Sequence, residues 1–121
     1  MANKAPSGNL PIRNQVVDIT IDVGETVSSD AVDATGYIIN GFIFPANFTA
    51  TSVTFLGSID GVNFKTMKDL RTGSALTGIV AAGDYSVTPP SDFSGTRFIK
   101  IEGNTSQLSS AATIQVIVSR C

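Results

Sequence analysis

Apolar and polar residues alternate with a period of two along several short stretches of this chain of 121 residues. In QVVDITIDVGE, Val17, Ile19, Ile21 and Val23 alternate with Asp18, Thr20 and Asp22. A pleated strand turns successive side chains to opposite faces, so the pattern predicts a half-buried strand with an acidic outer face. TVSSDAVDATG is more polar and reads as a short strand plus a loop. YIINGFIF, residues 37–44, is apolar on both faces and rich in aromatic and branched side chains, and it predicts a central strand stopped by Pro45. SVTFLGSI, residues 52–59, follows with Val53, Phe55 and Ile59 expected on one side. Asp60-Gly61-Val62-Asn63 then reverses the chain, and FKTM returns with Phe64 and a basic outer face. ALTGIVA and DYSVT predict two more short strands split by Ala82-Gly83. Pro89-Pro90 breaks the chain and SDFSG is a turn. TRFIKIEG puts Ile99 and Ile101 on one face, and ATIQVIVS closes the series with Ile114, Val116 and Val118 alternating.

No stretch has the spacing of an amphipathic helix; SSDAVDATG is the nearest and is too short and too poor in apolar residues. Short strands every 8–12 residues, punctuated by Gly, Pro and Asn, predict an all-β fold. The expected architecture is an antiparallel β-sandwich of about eight short strands, one domain over residues 15–121. Residues 1–14, MANKAPSGNLPIRN, contain Pro6, Gly8 and Pro11 and show no periodicity, so they predict an extended N-terminal arm whose Leu10 and Ile12 favour docking on a partner.

Composition sharpens this in two ways. Charged residues are 15% of the chain, below the usual quarter or so, while hydrophobic residues are 42%. Polar surface must therefore come from Ser, Thr, Asn and Gly, a surface suited to lying against another protein. Seven Phe and no Trp supply the bulk of the core. The net charge of −2 gives no basic face for nucleic acid. Charge is nevertheless uneven: Asp18, Asp22, Glu25, Asp30 and Asp33 share one segment, Lys4 and Arg13 lie in the arm, and Lys65, Lys68 and Arg71 cluster mid-chain. Solvated strand faces explain this, as do complementary patches that meet between subunits.

Candidate chemistry is sparse. Histidine is absent, which removes the commonest general base and neutral metal ligand. The one cysteine, Cys121, allows neither an intrachain disulfide nor a zinc site. No phosphate loop or dinucleotide fingerprint occurs. Asp18 and Asp22 share a strand face at about 13 Å by strand rise, wider than the roughly 5–9.5 Å of glycosidase carboxylate pairs. A calcium loop wants acids at alternate positions, and DGVNFKTM offers one. That stretch reads instead as a corner, because Gly tolerates positive φ and Asp bonds its own backbone. The expectation is a non-enzyme with no catalytic residues, no metal and no cofactor. Met1–Ile12 lacks the apolar core of a secretory signal, and no run reaches the roughly 18 apolar residues that cross a bilayer, so a soluble chain of intracellular origin is expected, with no membrane partner. The NFT and NTS sequons at Asn47 and Asn104 are then chance matches.

From Gly36 to Val118 a longer order of motifs appears. A strand ends at Pro45 and is followed by Phe48-Thr49; a hairpin follows with Val53 to Phe55, Ser58, Asp60, Gly61 and Phe64; then come Phe93, Gly95 and the Arg97 to Ile101 strand, and a Ser/Thr/Ala-rich closing strand. This order resembles a family of small β-sandwich virion proteins of tailed bacteriophages. The resemblance implies a structural protein of the particle, one that decorates or cements the capsid, located on the capsid surface and made in the host cytoplasm. It implies no catalytic residue and leaves head, neck and tail open. The partners it implies are the major capsid protein or another virion protein, together with homo-oligomerisation; a trimer would fit a capsid threefold axis. Expected protein contacts are Lys4, Leu10, Ile12 and Arg13 of the arm, and Lys65, Lys68 and Arg71, which would face acidic surface. The rival reading is a carbohydrate-binding module for host attachment, since the S-x-D-G-x-x-F hairpin also resembles one in discoidin-like sandwiches; such modules use exposed aromatic platforms, and Tyr37 and Tyr85 are the tyrosines available.

Overall fold

The computed structural model describes residues 14–88, 93 and 96–120. Among these residues there is no helix, and nine strands form two antiparallel sheets. One sheet holds β1 (Asn14–Ile21), β9 (Ala112–Arg120), β3 (Tyr37–Ile43) and β7 (Tyr85–Val87), in that order. The other runs β2 (Val32–Asp33), β8 (Phe98–Gly103), β4 (Ser52–Ser58) and β5 (Lys65–Thr66); β6 (Thr77–Ile79) also pairs with β4. The fold is thus the β-sandwich expected, with nine strands where about eight were expected. Asn14 already pairs with Ser119, so β1 begins at the last residue assigned to the arm.

Burial follows the alternation. Ile19 and Ile21 of β1, Ile114, Val116 and Val118 of β9, Val53 and Phe55 of β4, and Ile99 and Ile101 of β8 are all buried between the sheets. β3 is apolar on both faces for a specific reason. Its pairing with β9 shifts register between Ile39 and Gly41, leaving Asn40 as an extra residue. The bulge switches parity, so Ile39 is buried before it and Phe42 and Phe44 after it. The Asn40 side chain donates to the Ser119 hydroxyl at 3.0 Å.

Five phenylalanines build the centre. Phe42 of one sheet stacks on Phe55 of the other at 5.5 Å between ring centroids, and Phe93 packs edge-on against both, at 6.0 and 4.9 Å. Phe44 and Phe48 form a second pair at 4.9 Å. Such pairs add about 0.5–1.5 kcal/mol each beyond the area they bury. Phe64 and Phe98 do not join this core; they sit half-buried.

Two expected core positions are overturned. Ile59 is 85% exposed, because β4 ends at Ser58 and the chain turns before Ile59 can continue the inward face. Val23 is exposed for the same reason, lying beyond the end of β1 in a turn where the Glu25 N–H donates to the Asp22 carbonyl.

β1 and β2 lie on one flank of the sandwich, joined where the Ser29 N–H donates to the Thr20 carbonyl. β7, β5 and β6 lie on the opposite flank. Although β6 and β7 are consecutive, they enter different sheets: β6 pairs with β4 and β7 with β3.

Candidate functional site

The Ser58–Asn63 corner is built by one carboxylate. Asp60 Oδ1 accepts the backbone N–H groups of Val62 at 2.8 Å and Asn63 at 2.9 Å and the Ser58 hydroxyl at 2.8 Å, and its Oδ2 accepts the Asn63 side-chain amide at 2.9 Å. Ser58 Oγ in turn accepts the Asp60 and Gly61 N–H groups. Gly61 has φ +76° and lies under the Phe98 ring, where even a Cβ would come within 3.4 Å of it. The N–H groups of Asn63 and Val62, with the Ser58 hydroxyl and the Asn63 amide, hold the Asp60 carboxyl far below the ordinary carboxylate range. Both carboxylate oxygens are committed to the turn, so Asp60 is a structural cap. Among the described residues no three His, Cys, Asp or Glu side chains converge as metal ligands would.

Lys65, Lys68 and Arg71 are exposed and make no ion pair among the described residues. Lys65 is in β5. Lys68 bridges to Ala75 across a second corner, in which Asp69 Oδ1 accepts the Arg71 N–H at 2.8 Å and Gly73 has φ +73°. Leu70, at the tip of that corner, is 99% exposed. Asp60, Asp69 and Asp84 share the flank with the three cations, so these charges of the described residues balance there. The acids Asp18, Asp22, Glu25, Asp30 and Asp33 are exposed on the far flank. The Asp33 carboxyl is held low by the Thr35 hydroxyl and N–H, with Arg97 adding a smaller pull. Lys4, Leu10, Ile12 and Arg13 lie outside the described residues.

The aromatic groups decide what sugar could find here. Lys100 Nζ lies 4.8 Å from the Phe64 ring centre, and the Arg97 guanidinium 5.0 Å from that of Phe98, so each ring already has a cation over it. Tyr37 packs against the core. Tyr85 is 62% exposed, at the sheet edge. The sequon side chains are engaged as well: the Asn47 amide donates to Ser110 Oγ and the Ala111 carbonyl, and Asn104 Oδ1 accepts the Thr51 N–H.

The feature that sequence reasoning did not single out is the flank where β6 and β7 face each other. A cleft of about 270 Å³ opens between them, with Phe42, Phe44, Val53, Phe55 and Phe93 beneath. Among the described residues, no charged one lines it. Ile79 is 89% and Val87 78% exposed at its rim. The hydrogen-bonded pairs Phe44–Asp84 and Thr88–Asn40 fix which backbone groups of β7 face β3, and so turn those of Tyr85 and Val87 outward. The Val80 N–H donates to the Thr51 carbonyl, which likewise turns those of Thr77 and Ile79 outward. Gly78 and Ser86 face inward between them, and their small size keeps the cleft open. The sequence signal was present but weak: in strands of three residues, alternation is too brief to say which apolar residue points out.

Comparison of the chain with protein-family models, with curated proteins and with solved structures finds no match. Exposed Ile79 and Val87 lie beside strand edges whose outward backbone groups have no partner among the described residues.

Proposed function

We propose that this chain is a non-enzymatic structural protein of a tailed-phage virion, a decoration or cement protein that binds the capsid surface and bridges its subunits. The observation that carries this is the order of motifs from Pro45 through the Asp60-Gly61 corner to the Arg97–Ile101 strand. The exposed Ile79, Val87 and Leu70 support it, since a protein that works by docking has use for apolar surface that a free monomer has not. The sandwich lays weakly charged surface against the lattice, Lys65, Lys68 and Arg71 face acidic groups there, and the N-terminal arm lies in a groove of a neighbour. Each contact can be modest, because the lattice fixes geometry and many copies act together.

The test uses purified particles of the virus that encodes the chain. The protein should co-purify with them at a fixed copy number per capsid. A chain lacking residues 2–13 should bind stripped particles more weakly, with its melting temperature nearly unchanged. Full binding by the truncated chain removes the arm from the mechanism, and absence of the protein from particles removes the reading itself. The carbohydrate alternative has one exposed ring left to use, Tyr85; saturable glycan binding lost on Tyr85→Ala would favour it.

A further inference from the structure

The cleft between β6 and β7 has the chemistry of a site for an extended, uncharged chain segment. It offers outward backbone groups on two strand edges, Thr77 and Ile79 on one side and Tyr85 and Val87 on the other. It has an apolar rim in Ile79 and Val87, a floor of phenylalanine rings and, among the described residues, no charge to satisfy. A strand laid there would pair its N–H and C=O groups with an edge and bury apolar side chains.

The chain carries a segment of that description. In Leu10-Pro11-Ile12 the two apolar residues are spaced by two, so in extended form they share one face and one edge. Pro11 between them then turns its missing N–H to the opposite edge, where an added outermost strand needs no donor. Among residues 1–13, no other pair of large apolar side chains has this spacing.

Geometry decides whose segment it is. β1 starts at Asn14, on the far edge of the sheet whose other edge is β7. Three strand spacings of about 4.8 Å separate those edges, about 14 Å. Ile12 is two residues from Asn14, and two extended residues span about 7 Å at most. Ile12 therefore cannot reach the cleft of its own molecule, but it can reach that of another.

We infer that the cleft between β6 and β7 receives the Leu10–Ile12 segment of a second copy of this chain, so that copies are joined by exchanged arms. This deepens the proposed function by naming the neighbour that takes the arm. It rests on the arm part of that reading and not on the capsid, so it is tested on the isolated protein.

In sedimentation of the full chain, the wild type should be an oligomer. Leu10→Asp/Ile12→Asp and Ile79→Lys/Val87→Lys should each run as monomers. Ile79 and Val87 are exposed, and Leu10 and Ile12 belong to the segment before β1, so circular dichroism and melting temperature should stay near wild type. A wild type that remains monomeric at about 1 mM, a concentration that would reveal even a weak Kd, overturns the inference. So does either double variant that keeps the wild-type mass.

Disulfide trapping identifies the partner surfaces directly. In a Cys121→Ser background, Ile12→Cys protein mixed with Val87→Cys protein under mild oxidation should give a mixed dimer well above either homodimer. A mixed dimer no more abundant than the homodimers overturns the exchange. Failure of particle binding with the arm exchange intact would count against the capsid reading alone.

Discussion

At the residue scale, the Asp-Gly corner shows how one side chain can look like a ligand and be a strut. Asp60 spends both oxygens on the turn, and its charge is stabilised by N–H groups that the turn itself supplies. A carboxyl with a folded pKa below the ordinary 3.8 contributes stability that is fully present above that value. The contribution is lost as pH falls through the folded value, because protonation then removes the acceptor. Asp60→Ala should therefore lower the melting temperature at neutral pH, and the gap to wild type should shrink as pH is lowered from about 5 toward 2. Parallel melting curves across that range would show that the carboxylate's charge does not hold the corner. At the neighbouring Gly61, φ +76° is a left-handed conformation that costs an L side chain about 1–2 kcal/mol, so Gly61→Ala should destabilise by about that much. This corner was legible in the sequence because its chemistry is local: Asp, Gly and Asn act within three positions of one another. Gln107 was not legible. It is buried, its Oε1 accepts the Thr49 N–H at 3.1 Å, its Nε2 donates to the Asn47 carbonyl, and its backbone N–H donates to Glu25. Those partners come from remote parts of the chain, and no local pattern announces them.

At the element scale, period-two alternation located the long strands, because one face of each is buried along most of its length. It failed where a strand stops or slips. Ile59 has the parity of Val53 and Phe55, yet the chain has already turned at Ser58, which takes the buried place instead. In β3 the slip is the bulge at Asn40, and the next residue, Gly41, lets β7 approach closely. A Cβ on Gly41 would lie 2.5 Å from the Ser86 carbonyl oxygen and 3.3 Å from Val87 Cα, both backbone atoms that cannot swing away. Gly41→Ala should destabilise by about 1–3 kcal/mol through this overpacking. It should also push β7 off the sheet edge, which proteolysis within residues 81–88 would detect before global unfolding. Wild-type stability in urea together with unchanged protection of that segment would mean that β3 relaxes to absorb the methyl. An Asn-Gly pair inside an apolar run serves in this chain to change a strand's inward face, so that Phe42 and Phe44 reach the aromatic centre.

At the scale of the whole molecule, the chain crosses between sheets at almost every connection, and only β4, β5 and β6 follow one another in one sheet. The first strand pairs with the last, Asn14 with Ser119 and Ile21 with Ala112, and β9 is held between β1 and β3 along most of its length. Neither β1 nor β3 can therefore complete its sheet until β9 has arrived. Loops that must close over most of the chain before any pairing rewards them slow folding, and sandwiches dominated by such pairings fold in milliseconds to seconds. Refolding should accordingly be slow for a domain of this size. Ile114→Ala, at a fully buried position near the start of β9, should cost about 2–5 kcal/mol in equilibrium stability. If β9 docks before the barrier is crossed, that loss appears mainly as slower refolding; if it docks after, mainly as faster unfolding. The topology favours the first, since β9 supplies the contacts that close the sheet of β1 and β3. Stopped-flow refolding of wild type and Ile114→Ala in urea separates the two. A refolding limb unchanged by the substitution would show that the sandwich forms around β2, β8 and β4, with β1, β9 and β3 added afterwards.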